Sequence, residues 1–272
     1  MDGSFDAIVV GLGAMGSVTL YQLARRGIHA LGIEMFEPGH DQGSSHGFHR
    51  MIRMSSSQDD GYAPLAERAF DLWREAEDRA GSLLLRSPHH HHRSLGRGAA
   101  RRARAADAGG TARQRLLSAD AARVVVGRAR GARFLLDVPE GSFYGMPAVG
   151  DVGVKIGLSA GEATTARTIR RTIDDAEIAS LHDVLDRYLP GASGPEQRRI
   201  SCICTYTVDR DFVIDRHPDH GSVLFGCGFS GRGYKFAPVV GEILADLAIG
   251  GRPSHDIAFL RAERFAKVTG VE

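Results

Sequence analysis

Three glycines and one glutamate carry the most specific chemical signal in this chain. Gly11, Gly13 and Gly16 stand in a G-x-G-x-x-G turn, and Glu34 follows eighteen residues after Gly16. Gly11 permits a tight turn, Gly13 lets the backbone approach a pyrophosphate, and Gly16 lets a helix pack closely on a strand. A helix opening at that turn faces phosphates with free N–H groups and a positive dipole end. Glu34 can accept hydrogen bonds from ribose hydroxyls, so the spacing points to a dinucleotide. Arg50 and Arg53 are three residues apart. They read either as solvated surface arginines or as forked guanidinium groups for an anion. The cysteines are Cys202, Cys204 and Cys227. An odd number, with no signal peptide ahead of them, argues against a disulfide framework. Of the 34 basic residues, only Lys155, Lys235 and Lys267 are lysines, so each lysine asks for a reason.

These residues need elements to hold them. Residues 7–10 form a short apolar run that reads as a buried strand. Residues 17–26 have helix-forming composition with Leu20, Leu23 and Ala24 on one face, and 30–33 form a second apolar run. Strand, glycine turn, helix, strand and acidic residue fall in the order of a dinucleotide-binding β-α-β unit. Residues 38–45 read as a loop rich in Gly and Ser, and 62–80 as an amphipathic helix with Leu65, Ala69, Leu72 and Trp73 on one side. Further on, RFLLDVP reads as a strand, and 143–157 as two short strands around a glycine-containing turn. Residues 173–189 read as a helix. Thr172 is placed to cap it, Asp174 and Asp175 sit in its first turn, and Pro190 and Gly191 stop it. Its apolar face is Ile178, Leu181, Val184, Leu185 and Tyr188. Residues 199–207 read as one strand by β-branched and aromatic content, 212–215 as a short apolar run, and 223–228 as another strand. The glycine-rich turn FSGRGYKF then leads into a helix over 237–249, a second ligand-facing strand-to-helix junction.

Composition bounds the answer. A chain of 272 residues with 43% hydrophobic residues can build one large or two small domains with a real core. A formal net charge of +1 implies neither a nucleic-acid partner nor an acidic membrane surface, and no run is long enough to span a bilayer. A cytoplasmic location is the default expectation. Residues 81–130 differ in character, with eleven Arg against two Asp and almost no apolar period. Their Arg-rich run lacks the interleaved aromatics of a nucleic-acid platform. His89–His92 are consecutive and cannot all face one ion, so no metal is expected. The stretch reads as a disordered or poorly packed insert, or as an out-of-frame reading of GC-rich DNA.

The motifs in combination resemble the monomeric sarcosine oxidase and N-methyl-L-tryptophan oxidase family of FAD-dependent amine oxidases. They are VGLGAMGS with Glu34, the GSSHGFHRMIR loop, FYGMPAVGDVGVKIG, CTYT followed by FVIDRHP, and GFSGRGYKF followed by GEILADLAIGG. The resemblance implies an α/β (α+β) fold: a Rossmann-like FAD domain with a partial antiparallel-sheet substrate domain. It divides the chain into FAD-binding parts at 1–80 and 193–272, the atypical segment at 81–130, and a substrate-domain remnant at 131–192. It implies FAD as cofactor, covalently bonded through Cys204, with Cys202 two residues earlier as the rival. Cofactor contacts are implied for Gly11, Gly13, Gly16, Glu34, Ser45, His46, Arg50, Cys204, Thr207, Gly231 and Lys235. Lys155, eleven residues after Tyr144, matches the family's oxygen-activating lysine, where a cation stabilises the charge that forms when reduced flavin meets O2. Arg53 and Lys235 match the pair that holds the substrate carboxylate. Tyr144 and Arg50 stand beside the reacting centre. The implied partners are a small amine substrate and O2, with no nucleic acid, no membrane and a monomeric chain. The implied reaction oxidises the N-methyl group of a secondary amino acid and releases formaldehyde and hydrogen peroxide. Two positions depart from the family pattern: Ser159 and Arg232 stand where it commonly has histidines. Family members are also longer by roughly a hundred residues, the scale of a small domain. The alternative is therefore a shortened, catalytically impaired remnant or an FAD-binding module without activity.

Overall fold

The computed structural model describes residues 4–47, 50–52, 61–81, 83, 133–149, 151–159, 161–165 and 167–268, together with two strands at 116–118 and 122–125. The first elements are β1 (Ala7–Val10), α1 (Ala14–Arg25) and β2 (Ala30–Ile33), with the strands parallel and Ala7 opposite Ala30. Both strands keep their expected bounds. The helix starts earlier than its composition indicated, because the glycine turn runs straight into it. Gly11 has φ +86° and Gly13 is the extended N-cap. A Cβ on Gly16 would lie 1.8 Å from the Gly11 carbonyl oxygen, so only glycine fits there.

Helix α2 (Tyr62–Ala80) forms over the expected span and buries Tyr62, Leu65, Ala66, Ala69 and Leu72. It packs against a helix near the other end of the chain, α4 (Ala237–Ala248), and a 3-10 turn before it, Gly233–Phe236. The shared core adds Phe212, Ile214, Phe236, Val239, Val240 and Ile243. Tyr62 is 1% exposed, and its phenol oxygen accepts the Phe212 N–H at 3.0 Å. α4 also lies tightly on α1. A Cβ on Gly241 would meet the Thr19 nitrogen and the Val18 carbonyl carbon at 2.8 Å each. Arg26 pairs with Asp246 at 2.7 Å, and the Arg68 fork grips Glu242 at 3.0 and 2.7 Å. The two ends of the sequence therefore form one packed unit.

The middle of the chain folds separately into an antiparallel sheet of order β5-β6-β7-β4-β8. Its strands are β4 (Ala122–Val125), β5 (Phe134–Val138), β6 (Gly141–Met146), β7 (Val154–Leu158) and β8 (Glu196–Ile200). Helix α3 (Asp175–Tyr188) closes one face, where Leu181, Val184 and Leu185 bury Phe143, Val154 and Ile156. Its cap is Asp174 rather than Thr172. The Asp174 carboxylate accepts the Glu177 N–H at 2.8 Å, and Glu177 accepts the Asp174 N–H at 3.0 Å. A reciprocal capping box needs a Glu or Gln three positions on; Asp174 has Glu177 there, whereas Thr172 has the shorter Asp175.

Two further expectations are revised. The single strand expected over 199–207 splits at Ser201 and Cys202. β8 joins the five-stranded sheet, while β9 (Ile203–Thr205) pairs with β3 (Leu116–Ser118). One stretch thus serves two sheets, and a straight strand cannot. The segment 81–130, which shows no apolar period, nevertheless supplies both β3 and β4. Their pairing is with distant strands, so local pattern carries no sign of it. β10 (Val213–Arg216) and β11 (Leu224–Cys227) form an antiparallel pair leading to the second glycine turn. The fold is α/β (α+β), with a Rossmann-like β-α-β unit beside an antiparallel sheet. Among the described residues no helix is long and apolar enough to cross a membrane. His89–His92 lie outside the described residues.

Candidate active site

A cleft of about 830 Å³ lies where the two units meet. Its size is within the range of small-molecule and cofactor sites. Ala14 and Met15, at the start of α1, form one wall. Ser45, His46 and Arg50 come from the loop after β2, Tyr144 and Lys155 from the antiparallel sheet, and Cys202 and Cys204 from the split strand. Gly231, Arg232 and Lys235 come from the second glycine turn. Side chains more than two hundred positions apart in sequence thus face one space.

The fingerprint loop sits at the edge of this cleft. The Glu34 carboxylate accepts the Leu12 N–H at 2.7 Å and the Met35 N–H at 2.7 Å, and His40 lies 3.4 Å away. Those backbone N–H groups hold its carboxyl below the usual carboxylate range, with His40 adding to them. Ser45 Oγ accepts the Ala14 N–H at 3.0 Å, and a Cβ on Gly13 would lie 3.5 Å from it. Gly11, Gly13, Gly16 and Glu34 themselves do not line the cleft.

The basic side chains differ in setting. Lys155 is 7% exposed, between Val154 and Ile156 at 0%. Its Nζ stands 5.6 Å from the ring centre of Tyr144, on the neighbouring strand. A cation held this deep is costly without compensation, and the aromatic face offsets part of that cost. Arg50 donates to the carbonyls of Ser44 and His46 and lies 5.1 Å over the Tyr234 ring. The turn bearing Lys235 is anchored by Trp73, whose indole N–H donates to the Lys235 carbonyl at 3.0 Å. Arg53 lies outside the described residues.

Of the two rival cysteines, Cys204 is buried and Cys202 is half-buried, and both line the cleft. They do not share one regular strand face, because Cys202 sits in the break before β9. Thr207 is turned away: its hydroxyl donates to the Asp211 carbonyl at 2.7 Å, and it does not line the cleft. His46 is the opposite case. Both of its ring nitrogens are buried without a hydrogen-bond partner among the described residues. Burial, then the Arg50 charge, push its pKa down, so the ring is neutral. Ser159 and Arg232 both line the cleft. Sequence reasoning passed over Arg210, Tyr206 and Tyr234. The only local signal at Arg210 is its turn, where φ is +65°.

The residues present fit FAD. The glycine cradle admits no side chain at Gly16, the α1 N-terminus opens on the cleft, and the orphaned His46 nitrogens await a polar group.

Comparison with known proteins agrees. The FAD dependent oxidoreductase family pattern matches residues 6–141 and 124–247. The chain is 27% identical over 378 aligned positions to monomeric sarcosine oxidase of Bacillus sp. (strain B-0618), covering 97% of each chain. It is 29% identical to monomeric sarcosine oxidase of Streptomyces avermitilis, covering 98% of this chain and 99% of the relative. It is 26% identical to N-methyl-L-tryptophan oxidase of Salmonella heidelberg, covering 97% and 100%. These alignments run past the 272 residues here, so the relatives carry positions with no counterpart in this chain. Among solved structures, NikD, an unusual amino acid oxidase essential for nikkomycin biosynthesis, superposes with TM-score 0.69 at 18% identity, covering 94% of this chain and 97% of that one. L-proline dehydrogenase from P. horikoshii gives TM-score 0.69 at 14% identity, covering 98% and 99%. Fold, cleft and sequence likeness together make this chain a member of the FAD dependent oxidoreductase family.

Proposed function

We propose that the chain is an FAD-dependent oxidase of secondary amino acids, demethylating an N-methyl amine with O2 and releasing formaldehyde and hydrogen peroxide. The observation that carries this reading is Lys155, a nearly buried lysine aimed into a cleft that also holds Cys204, Arg50 and Lys235. Relatives named for sarcosine and N-methyl-L-tryptophan support the substrate class. Bound in the cleft, FAD supplies the acceptor of the hydride equivalents and, once reduced, the electrons for O2.

The chain's own residues bind and orient. Lys235 and Arg53 hold the substrate carboxylate by charge-assisted hydrogen bonds. Arg50 and the neutral His46 would help hold the cofactor, and Tyr144 orders Lys155. The Lys155 ammonium faces the negative charge that develops on O2 as it is reduced, in a site shielded from water, where one cation acts strongly. Cys204 is the proposed attachment point, and the small-molecule chemistry requires neither a second subunit nor a membrane.

Acid precipitation tests the cofactor: a yellow pellet is expected from the native chain and a colourless one from Cys204→Ser. A colourless native pellet removes the covalent assignment. Peroxide release with sarcosine and with N-methyltryptophan tests the reaction, and no release with either removes it. One observation favours the other reading, an FAD-binding chain without turnover. Ile8 and Val10 of β1 are 58% and 81% exposed, which leaves one face of the cofactor-side sheet open to water.

A further inference from the structure

The charged residues that line the cleft, among the described residues, are Arg50, Lys155, Arg210, Arg232 and Lys235, with no Asp or Glu. In the reaction proposed above, Lys235 holds the one substrate carboxylate, Lys155 faces the charge on reduced oxygen, and Arg50 serves the cofactor. Arg210 and Arg232 remain. Arg232 stands at the head of the 3-10 turn that carries Lys235, so both come from one structural unit. That turn is stiff. The Arg232 N–H donates to the Phe229 carbonyl at 2.9 Å, and a Cβ on Gly233 would lie 2.5 Å from Phe229 Cβ.

The Arg232 guanidinium is half-buried, 6.0 Å from the ring centres of Tyr62 and Phe212. Its hydrogen bond goes to the backbone carbonyl of Arg210, and it joins no ion pair among the described residues. Burial pushes its pKa down and the Arg210 charge adds to this, while Tyr62 and Asp211 act the other way. Asp211 does not line the cleft. A guanidinium has five N–H donors in a rigid fork, so one carbonyl leaves most of them available. A desolvated cation beside a second cation, in a cleft whose charged residues are all basic among those described, is a receptor for an anion.

We infer that the substrate is a secondary amine with two carboxylates, an N-methylated acidic amino acid, whose second carboxylate is held by Arg232 with Arg210 beside it. The inference rests on the amine-oxidase reading and makes Arg232 a determinant of specificity. It explains why Arg232 occupies a position where the resembled family commonly has a histidine.

The test compares N-methyl-L-aspartate with sarcosine by peroxide release. In the native chain kcat/KM is expected to favour the dicarboxylate by about tenfold or more, the effect of one charge-assisted hydrogen bond. In Arg232→Gln that preference collapses by about the same factor, and Arg232→Lys restores part of it. Preference for sarcosine, or an equal loss for both amines in Arg232→Gln, overturns the inference. If the native chain oxidises neither amine, the functional reading fails, and calorimetry with succinate and acetate decides the inference separately. Tighter succinate binding that Arg232→Gln weakens about tenfold supports it, and equal binding of the two acids overturns it.

Discussion

The two sheets of this protein are built from similar apolar strands but differ in what covers them. In the antiparallel sheet, Val154 and Ile156 of β7 are fully buried under α3. In the parallel pair, Ile8 and Val10 of β1 are largely exposed. The parallel pair does not depend on burial of both faces. Its geometry is held by local hydrogen bonds, with Gly11 N–H donating to the Ile33 carbonyl at 2.8 Å and Leu12 N–H to Glu34. Its helix is held from outside, by α4, whose Gly241 lies against Val18 and Thr19 of α1. The antiparallel sheet has a conventional core, and that core positions Lys155. The glycine cradle therefore rests on backbone geometry, and the placement of Lys155 rests on packing.

Four measurements would break or sharpen this contrast. Ile156→Ala is expected to cost about 2–5 kcal/mol in denaturant unfolding, because a fully buried side chain leaves a cavity next to Lys155. A loss under about 1 kcal/mol would mean that the sheet does not depend on its core. Gly16→Ala is expected to cost about 1–3 kcal/mol or more, since its methyl group collides with the Gly11 carbonyl. It should also abolish the yellow colour while leaving the antiparallel sheet intact by hydrogen exchange. Retained flavin in this variant would sever cofactor binding from the glycine cradle.

The third measurement concerns pH. The Glu34 carboxyl is held below its ordinary value of 4.5 by the Leu12 and Met35 N–H groups. A carboxyl depressed in the folded state contributes stability above its unfolded pKa and loses it as the pH falls through the folded one. The stability gap between the native chain and Glu34→Gln should therefore be full at neutral pH and close progressively below about pH 4.5. A gap that does not change with pH would mean that the loop does not rely on the charge. The smallest effect is expected from Val10→Ala, within about 0.5 kcal/mol, because that side chain is 81% exposed. A loss comparable to Ile156→Ala would show that the β1 face is covered in solution, and the contrast would fall.

Much of the fold was legible from local pattern. The bounds of β1, β2 and α2 follow from apolar runs and helical period. The hairpin β5–β6 and its neighbour β7 lie close in sequence, so their strands and turns announce themselves. The helix over 175–188 was legible too, but its cap was misread because Thr172 is a good capping residue by type. Asp174 prevails because Glu177 completes the reciprocal pair. The division of 199–207 was not legible. β-branched content says that a residue favours a strand, but not which sheet it joins. β3 and β4 were hidden for the same reason, since their partners lie far along the chain.

The sequence by itself determined the cofactor class, through the spacing of Gly11, Gly13, Gly16 and Glu34. It also singled out Lys155, Lys235 and Cys204 through their motifs. Those signals are local, because a tight turn, a close helix and a strand each demand particular residues within a few positions. Only the tertiary structure decided that Ala14, Lys155, Cys204 and Lys235 face one cleft. It also turned Thr207 toward Asp211 and set Arg232 beside Arg210 on a wall with no carboxylate among the described residues. Those facts depend on how α1 meets α4 and how β9 leaves β8. Contacts of that range are set by packing, which leaves no period in the chain to read.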